Sequence, residues 1–535
     1  MRLPALLTTP PARHLLAFGL VFAATLHAAW GTIDRYFLSD DFAYIGRFYH
    51  LAWADWPGLF VRDWSGGLWG QVLPELRPFA ALTFLVDAQL WGVNPLGYHV
   101  TNLLLDTGCA WLVMLIVWRL HPAPLWAGCA AGILFAWQPA HAEPVAWITG
   151  RVDLLGTLAY LAGFFAAGRY LRAGGGWRWL AAAWLAYCVG CFSKEFCLTM
   201  PVALLLWMLF YRPLLAPRAT RPAALLFAGF VAVAVVFVLC RRIAFGPGSG
   251  GVTALNLLSP AFAERQFDYL RWAVPLFYDF GREYRPALAA IAPALIVGSL
   301  LLSVTILALW HWKGPATTRW RAVAFFGLAW YAVATLPMAA ASYFSPRHLY
   351  LATAGLCIGA GLLAASFASR RWLAYGLIAL AALYSAGRFH HAVAPWRHSA
   401  KISERIAQEV ARSATQLQPG EVLLLDVPDV HEGVWLWSWA APFALQPPFQ
   451  TQAAPPTLTR PAAYYSPPGW SGQPVLASLP AAPGAILIAL DEKGAVTARH
   501  IPGDRMAGPA RVLAQAAAGD PHLAWRDFIG TLLAR

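Results

Sequence analysis

Residues 222–240, PAALLFAGFVAVAVVFVLC, run without one charge between Arg221 and Arg241-Arg242. An α-helix rises about 1.5 Å per residue, so a stretch of this kind spans the ~30 Å hydrocarbon core of a bilayer. Working outward, comparable apolar runs occur at about 14–33, 99–119, 124–138, 153–171, 178–192, 197–211, 287–310, 321–340, 349–368 and 372–390. The composition agrees: 12% of the 535 residues are charged and 59% hydrophobic, where soluble proteins average about 25% charged. A water-soluble enzyme, a disordered chain and a secreted disulfide scaffold are all excluded. The expected fold is an α-helical polytopic membrane protein with about eleven transmembrane helices. The first run has no clear small-residue cleavage site and is read as an uncleaved anchor. The cysteines all lie in apolar stretches, where a thiol acts as a small hydrophobe. Cys188 and Cys191 have CxxC spacing but no second pair or nearby His.

The net charge of +13 raises the question of nucleic acid, and its placement answers it. With the N-terminus inside, the inner segments hold Arg2, Arg13, Arg119, Arg169, Arg172, Arg178, Arg212, Arg218, Arg221, Lys313, Arg319, Arg321, Arg370 and Arg371, without an acid. The outer connections mix both signs, from Asp34, Asp40 and Asp41 to Asp268, Asp279 and Glu283. That is the positive-inside pattern, so the basic balance reflects orientation among membrane lipids and implies no nucleic acid. The expected location is a multi-pass place in a bacterial inner membrane, with the second chain end outside.

Two outer segments are long. The first, 34–98, is aromatic and carries short amphipathic pieces around Phe42–Trp53 and Pro78–Trp91, suited to the interface plane. The second, about 246–285, opens with a glycine-rich run at 246–251. The composition changes near residue 395. This predicts a transmembrane module over 1–395 and a small extracytoplasmic α/β domain over 396–535. In that domain 397–418 reads as a polar helix, Glu421–Val427 and Ala485–Leu490 as strands, 442–484 as a proline-rich stretch and 508–534 as a helix. No 34-residue or other repeat is present.

Charge in a membrane helix persists where it is paired or useful. Here acids and bases gather at the outer helix ends: Asp40-Asp41, then His141, Glu143, Arg151 and Asp153, then Lys194-Glu195, Arg241-Arg242 and Arg347-His348. Each has a plain reading: a helix cap, a salt-bridged hairpin, a surface ion pair, or snorkelling anchors. Together, several cations at headgroup depth beside paired carboxylates suit a lipid-linked phosphate and a general base. An Asp pair also suits a divalent metal, but no His/Cys set completes such a site.

At these positions the chain resembles a known family. Ser39-Asp40-Asp41, Arg77-Pro78-Phe79, Leu90-Trp91-Gly92-Val93-Asn94-Pro95-Leu96-Gly97-Tyr98-His99, the block from Pro139 to Leu155, Ser193-Lys194-Glu195 and Pro346-Arg347-His348-Leu349-Tyr350-Leu351 look like GT-C glycosyltransferases. The nearest branch is that of the transmembrane and tetratricopeptide-repeat O-mannosyltransferases and their bacterial relatives, and the resemblance covers about 30–395. Two features depart from it: the repeats are absent, and Asp106 stands where relatives often place His. The resemblance implies inverting transfer from a polyprenyl-phosphate sugar, as donor, to a protein or glycan acceptor hydroxyl on the extracytoplasmic face. It implies Asp40 as base and Asp41 as its orienting partner. Lys194, Arg241, Arg242 and Arg347 would stabilise the departing phosphate, and His141, Glu143, Arg151, Asp153, Glu195 and His348 would line the substrate pocket. The competing readings are an oligosaccharide ligase of another polytopic fold and a transporter, which would place charge near the midplane within inverted repeats.

Overall fold

The computed structural model describes residues 10–68, 73–216, 219–246, 260–278, 322–337, 345–367, 371–450, 455–461, 473–491, 494–516 and 521–534. The expected span 287–310 and the glycine-rich run beyond Gly246 lie outside them, as do parts of 321–340 and 442–484.

Among the described residues six helices are long and apolar enough to cross a membrane: Pro10–Ala29, Pro95–Leu120, Ile148–Arg172, Thr220–Phe245, Pro346–Ala365 and Trp372–Gln416. Shorter apolar helices occupy Leu125–Ala136, Glu195–Phe210 and Phe325–Thr335, and another helix occupies Trp177–Cys191. This is an integral membrane protein. In chain order the principal helices are α1 (Pro10–Ala29), α2 (Asp40–His50), α3 (Pro78–Trp91), α4 (Pro95–Leu115), α5 (Leu125–Ala136), α6 (Ala142–Ala146), α7 (Arg151–Arg172), α8 (Trp177–Cys191), α9 (Met200–Phe210) and α10 (Thr220–Phe245). They continue with α11 (Pro260–Ala273), α12 (Trp330–Thr335), α13 (Tyr350–Ala365) and α14 (Arg371–Gln416). Local chemistry sets the starts. Asn94 caps α4 by accepting from Leu96 N at 3.1 Å, with Pro95 in the first turn. Two acids open α2, where the helix dipole favours negative charge.

Burial separates the helices by role. α7 is covered along nearly its whole length, whereas α10 exposes Leu225, Val231, Val235, Val236 and Ile243, a surface suited to acyl chains. One apolar core joins α4, α5, α7, α8, α9 and α13. A second contains Phe37, Phe42 and Phe84 from the segment between α1 and α4 and Tyr98 from α4, with Ile402, Leu425, Trp437 and Ile488 from the chain's last third.

The composition change near residue 395 falls inside a helix. The span at 372–390 and the polar helix at 397–418 are a single helix, α14, running through Pro395. Proline removes one backbone donor, but the helix continues through it and is packed on both sides of Pro395. Phe389 and Val393 pack with Ala28 and Val145, while Ala400, Ile402 and Ile406 enter the second core. The sheet order is β4-β1-β5-β6, from β1 (Val422–Asp426), β4 (Thr457–Thr459), β5 (Gly484–Leu490) and β6 (Val496–Pro502), with β1 parallel to both neighbours and β6 antiparallel. A hairpin of β2 (Val430–His431) and β3 (Val434–Trp435) follows β1. Strand β1 is apolar from Val422 to Leu425, where both faces are covered, and ends on the half-buried Asp426. Leu423 and Leu425 face the membrane module's outer core, and Val422 and Leu424 face the terminal helices. The expected last helix is two, Gly503–Ala516 and Pro521–Leu533.

Arg151 is a structural pin at the start of α7. It is fully buried; Nε donates to Asn102 Oδ1 at 2.8 Å, and the two Nη groups donate to Thr83 O at 3.2 Å and Tyr98 O at 3.0 Å. Asp87 Oδ2 pairs with Nη2 at 2.6 Å. Removing one partner of such a pair leaves a buried charge, at about 3–5 kcal/mol. Asp87→Ala should therefore lower the detergent-solubilised melting temperature markedly, and a thermal melt unchanged from wild type would refute the pin.

Candidate active site

The segment following α1 delivers the acid pair. Ser39 stands at φ 45°, a region sparsely populated by residues with side chains, and its N–H donates to Leu436 O at 2.7 Å. The following Asp40 and Asp41 then diverge. Asp41 is buried with both carboxylate oxygens occupied. Oδ1 accepts from Thr149 N at 2.9 Å and Thr149 Oγ1 at 2.6 Å, and Oδ2 accepts from Leu38 N at 3.1 Å. Burial pushes its pKa up to about 7, against those hydrogen bonds. Asp40 is only part-buried and accepts from Trp439 Nε1. Its carboxyl is raised to about 6 by desolvation, with the Trp439 bond and the charge of Arg347 pulling it down and Glu75 pushing it up.

Beside the pair, several helix ends bring together a cluster of charge. Arg347 Nε lies 3.6 Å from Glu143 Oε1 and 3.9 Å from Asp153 Oδ2, and its guanidinium stands 4.7 Å from the Trp147 ring centroid. Lys194 Nζ is 3.3 Å from Asp153 Oδ1. Ser345 caps the turn carrying Arg347 and donates its hydroxyl to Glu143. Burial raises the Glu143 carboxyl, and Arg347 and Ser345 oppose that. The Lys194 turn approaches α7 because Gly156 has no side chain: a Cβ there would stand 2.8 Å from Lys194 Cβ. A neighbouring chain of charge runs from Trp64 and Glu75 through Arg77, whose Nη1 reaches Glu75 at 2.9 Å and Nη2 reaches Glu195 at 3.2 Å.

The remaining candidates lie elsewhere. His141 is fully buried, its Nε2 2.7 Å from Thr353 Oγ1 and its ring 4.2 Å from that of Tyr350. Desolvation pushes its pKa down to about 3, so it is neutral. Arg151 is engaged by α3 and α4 as described. His348 Nδ1 pairs with Tyr269 Oη at 2.9 Å on α11. Arg241 lies one helical turn beyond Phe237, whose ring packs edge-on 5.2 Å from that of Phe192, just before the Lys194 turn; Arg242 is exposed. Asp106 accepts from Tyr350 Oη inside the bundle. Among the described residues no three ligand atoms of the acid cluster approach within metal-binding distance of one another, since cations are interleaved between the carboxylates.

Sequence reasoning missed Thr149, Ser345, Arg77 and above all Trp439. Arg77 and Thr149 stand inside motifs that were legible. Trp439 lies 399 residues from Asp40, and nothing in its own neighbourhood marks it.

No family model matches the chain. Over 187 residues it is 34% identical to protein O-mannosyl-transferase Tmtc2 of Drosophila melanogaster, covering 32% of this chain and 20% of that protein. Over 116 residues it is 36% identical to Tmtc1 of the same organism, 22% of this chain and 13% of the relative. TMTC4 of Homo sapiens matches at 36% over 121 residues, 19% and 16%. The matched segments thus span a fifth or less of these relatives. Among solved structures, apo ArnT from Cupriavidus metallidurans aligns over 91% of this chain and 94% of its own, at 14% identity and a TM-score of 0.41. The Archaeoglobus fulgidus oligosaccharyltransferase aligns over 88% and 68%, at 13% identity and a TM-score of 0.46. The chain is therefore similar in sequence to O-mannosyltransferases over part of its length.

Proposed function

We propose that this chain is an inverting membrane glycosyltransferase that moves a sugar from a polyprenyl-phosphate donor to an acceptor hydroxyl on the extracytoplasmic face. The observation that carries the reading is geometric: Asp41 is tied to Thr149, two residues from Trp147, whose ring centroid lies 4.7 Å from the Arg347 guanidinium, so the part-exposed Asp40 and the cations of the helix ends are set side by side. Hydroxyl attack at an anomeric carbon needs a base on one face and a stabilised leaving group on the other. Asp40 takes the acceptor proton, and Asp41, fixed by Thr149 and Leu38, sets the α2 start that aims it. The phosphate leaves with growing negative charge, which Arg347 and Lys194 meet after exchanging Glu143 and Asp153 for phosphate oxygens. Arg241 and Arg242 lie at the same membrane face and contribute at longer range. A positioned base supplies about 10²–10⁴-fold, and a donor aimed at developing charge about 10²–10³-fold. The partial similarity to O-mannosyltransferases supports the same class. The purified chain, given a polyprenyl-phosphate monosaccharide and membrane acceptors, should release polyprenyl phosphate and glycosylate the acceptor. Consumption of a preassembled lipid-linked glycan instead would replace this reading with that of a ligase.

The reading also requires the acid pair and the C-terminal sheet to share the extracytoplasmic side. A cysteine is best placed at Thr497, exposed on β6, because Gly494 nearby has φ +79° and a Cβ there would meet Ile402 at 2.9 Å. In intact cells Thr497→Cys should react with a membrane-impermeant maleimide; labelling only after permeabilisation would overturn the orientation.

A further inference from the structure

We propose that His398, His431 and Glu432 form a binding site for a divalent transition-metal ion of zinc-like chemistry, tying the β2–β3 hairpin to α14. One ligand atom from each side chain lies within 4.8 Å of the others. His398 Nδ1 is 3.2 Å from Glu432 Oε2, and the two imidazole rings stand edge-on with centroids 5.1 Å apart. Tetrahedral zinc, with bonds of about 2.0–2.2 Å, keeps its ligand atoms roughly 3.3 Å apart. His398 and Glu432 already have that spacing, and a His431 ring nitrogen lies within 4.8 Å of both ligand atoms. Two imidazoles and a carboxylate are a ligand set for zinc and its neighbours, with a fourth position left for water.

A second observation points the same way. His431 Nε2 is buried without a hydrogen-bond partner, which costs about 1–3 kcal/mol in a folded protein. An ion pair between protonated His398 and Glu432 leaves that nitrogen unsatisfied, whereas a shared metal makes His431 part of the same site. Glu432 and His398 are 48% and 41% exposed, so a hydrated ion can enter. The placement gives the site a consequence. His398 rides on the helix that rises from the membrane, while β3 leads directly to Leu436, which accepts from Ser39, and to Trp439, which donates to Asp40. A metal at the hairpin tip would hold the segment covering the acid pair against α14.

The test uses the full chain, purified in detergent with a histidine-free affinity tag, stripped with chelator and dialysed against zinc chloride. Elemental analysis should find about one zinc per chain, and hydrogen exchange at 430–440 should slow when zinc is added. His431→Ala and Glu432→Gln, the latter on an exposed turn that tolerates substitution, should each weaken zinc binding by about tenfold or more. Zinc content unchanged in Glu432→Gln, or exchange at 430–440 indifferent to zinc in the wild type, would overturn the site. Neither readout depends on sugar transfer, so the outcome is independent of the proposed activity.

Discussion

Asp40→Asn should leave the protein folded and extractable while lowering turnover by about 10²–10⁴-fold, the range for a lost general base. The amide is nearly isosteric, and its oxygen still accepts from Trp439 Nε1, so the contact covering α2 survives. What disappears is a carboxylate able to take a proton. With the wild-type carboxyl raised to about 6, the protonated form dominates below that pH and cannot act as base. Turnover should therefore fall as pH drops through about 6, and Asp40→Asn should lack this acid limb. Trp439→Phe offers an internal check on the cause. Removing a donor to the ionised form raises the carboxyl further, so the acid limb should move to higher pH without a large loss at the plateau. Asp41→Asn should act differently. Its new amide N–H₂ must face Leu38 N or the Thr149 donors, leaving two donors opposed at about 1–3 kcal/mol, so the variant should lose stability as well as activity. Steady-state kinetics over pH, with thermal melts of the same preparations, separate these outcomes. Wild-type turnover in Asp40→Asn would move the base elsewhere, with Glu143 next in line.

Arg347→Lys should lose most activity, by about 10²–10³-fold, although the charge is kept. The guanidinium stands over Trp147 while lying between Glu143 and Asp153. A planar fork can stack and offer two parallel donors to phosphate oxygens, and an ammonium cannot do both. If Arg347 were only an interfacial anchor, the lysine variant would turn over like the wild type. Lys194→Ala should raise the donor KM more than the acceptor KM. It also strands Asp153, which is almost fully buried and 3.3 Å from the lost ammonium. Lys194→Ala with Asp153→Asn is therefore the proper control: the double variant should recover stability but not donor affinity. Normal donor dependence in both Arg347→Lys and Lys194→Ala would remove these residues from phosphate binding.

The extent to which the sequence foretold this site varies residue by residue, for physical reasons. Lys194, Asp153, Glu143 and Arg347 were legible because charge in an apolar segment is costly and calls for a partner or a purpose. The structure puts those four in direct ionic contact. Arg151 and His141 carried the same signal but face other neighbours. Arg151 turns into α3 and α4, and His141 packs with Tyr350 and Thr353. Sequence spacing places a residue at a helix end, but the direction of its side chain depends on which helices crowd it. The two acids show the same limit: adjacent and chemically identical in sequence, they differ in surroundings because Asp41 meets Thr149 and Asp40 meets Trp439.

The sequence by itself determined the class of protein and, among the described residues, the place of its long apolar helices, because crossing a bilayer imposes a length and a polarity that a single segment must satisfy alone. It also showed 421–427 as a strand, since a short apolar run of that length has few other uses. Tertiary structure alone decided that α14 continues through Pro395, because helix-breaking by proline is overridden by packing on either side of it. Tertiary structure also decided that the last third of the chain closes over the acid pair through Trp439. That contact joins residues far apart in the chain, through a hydrogen bond and a shared apolar core that neither segment can specify without the other.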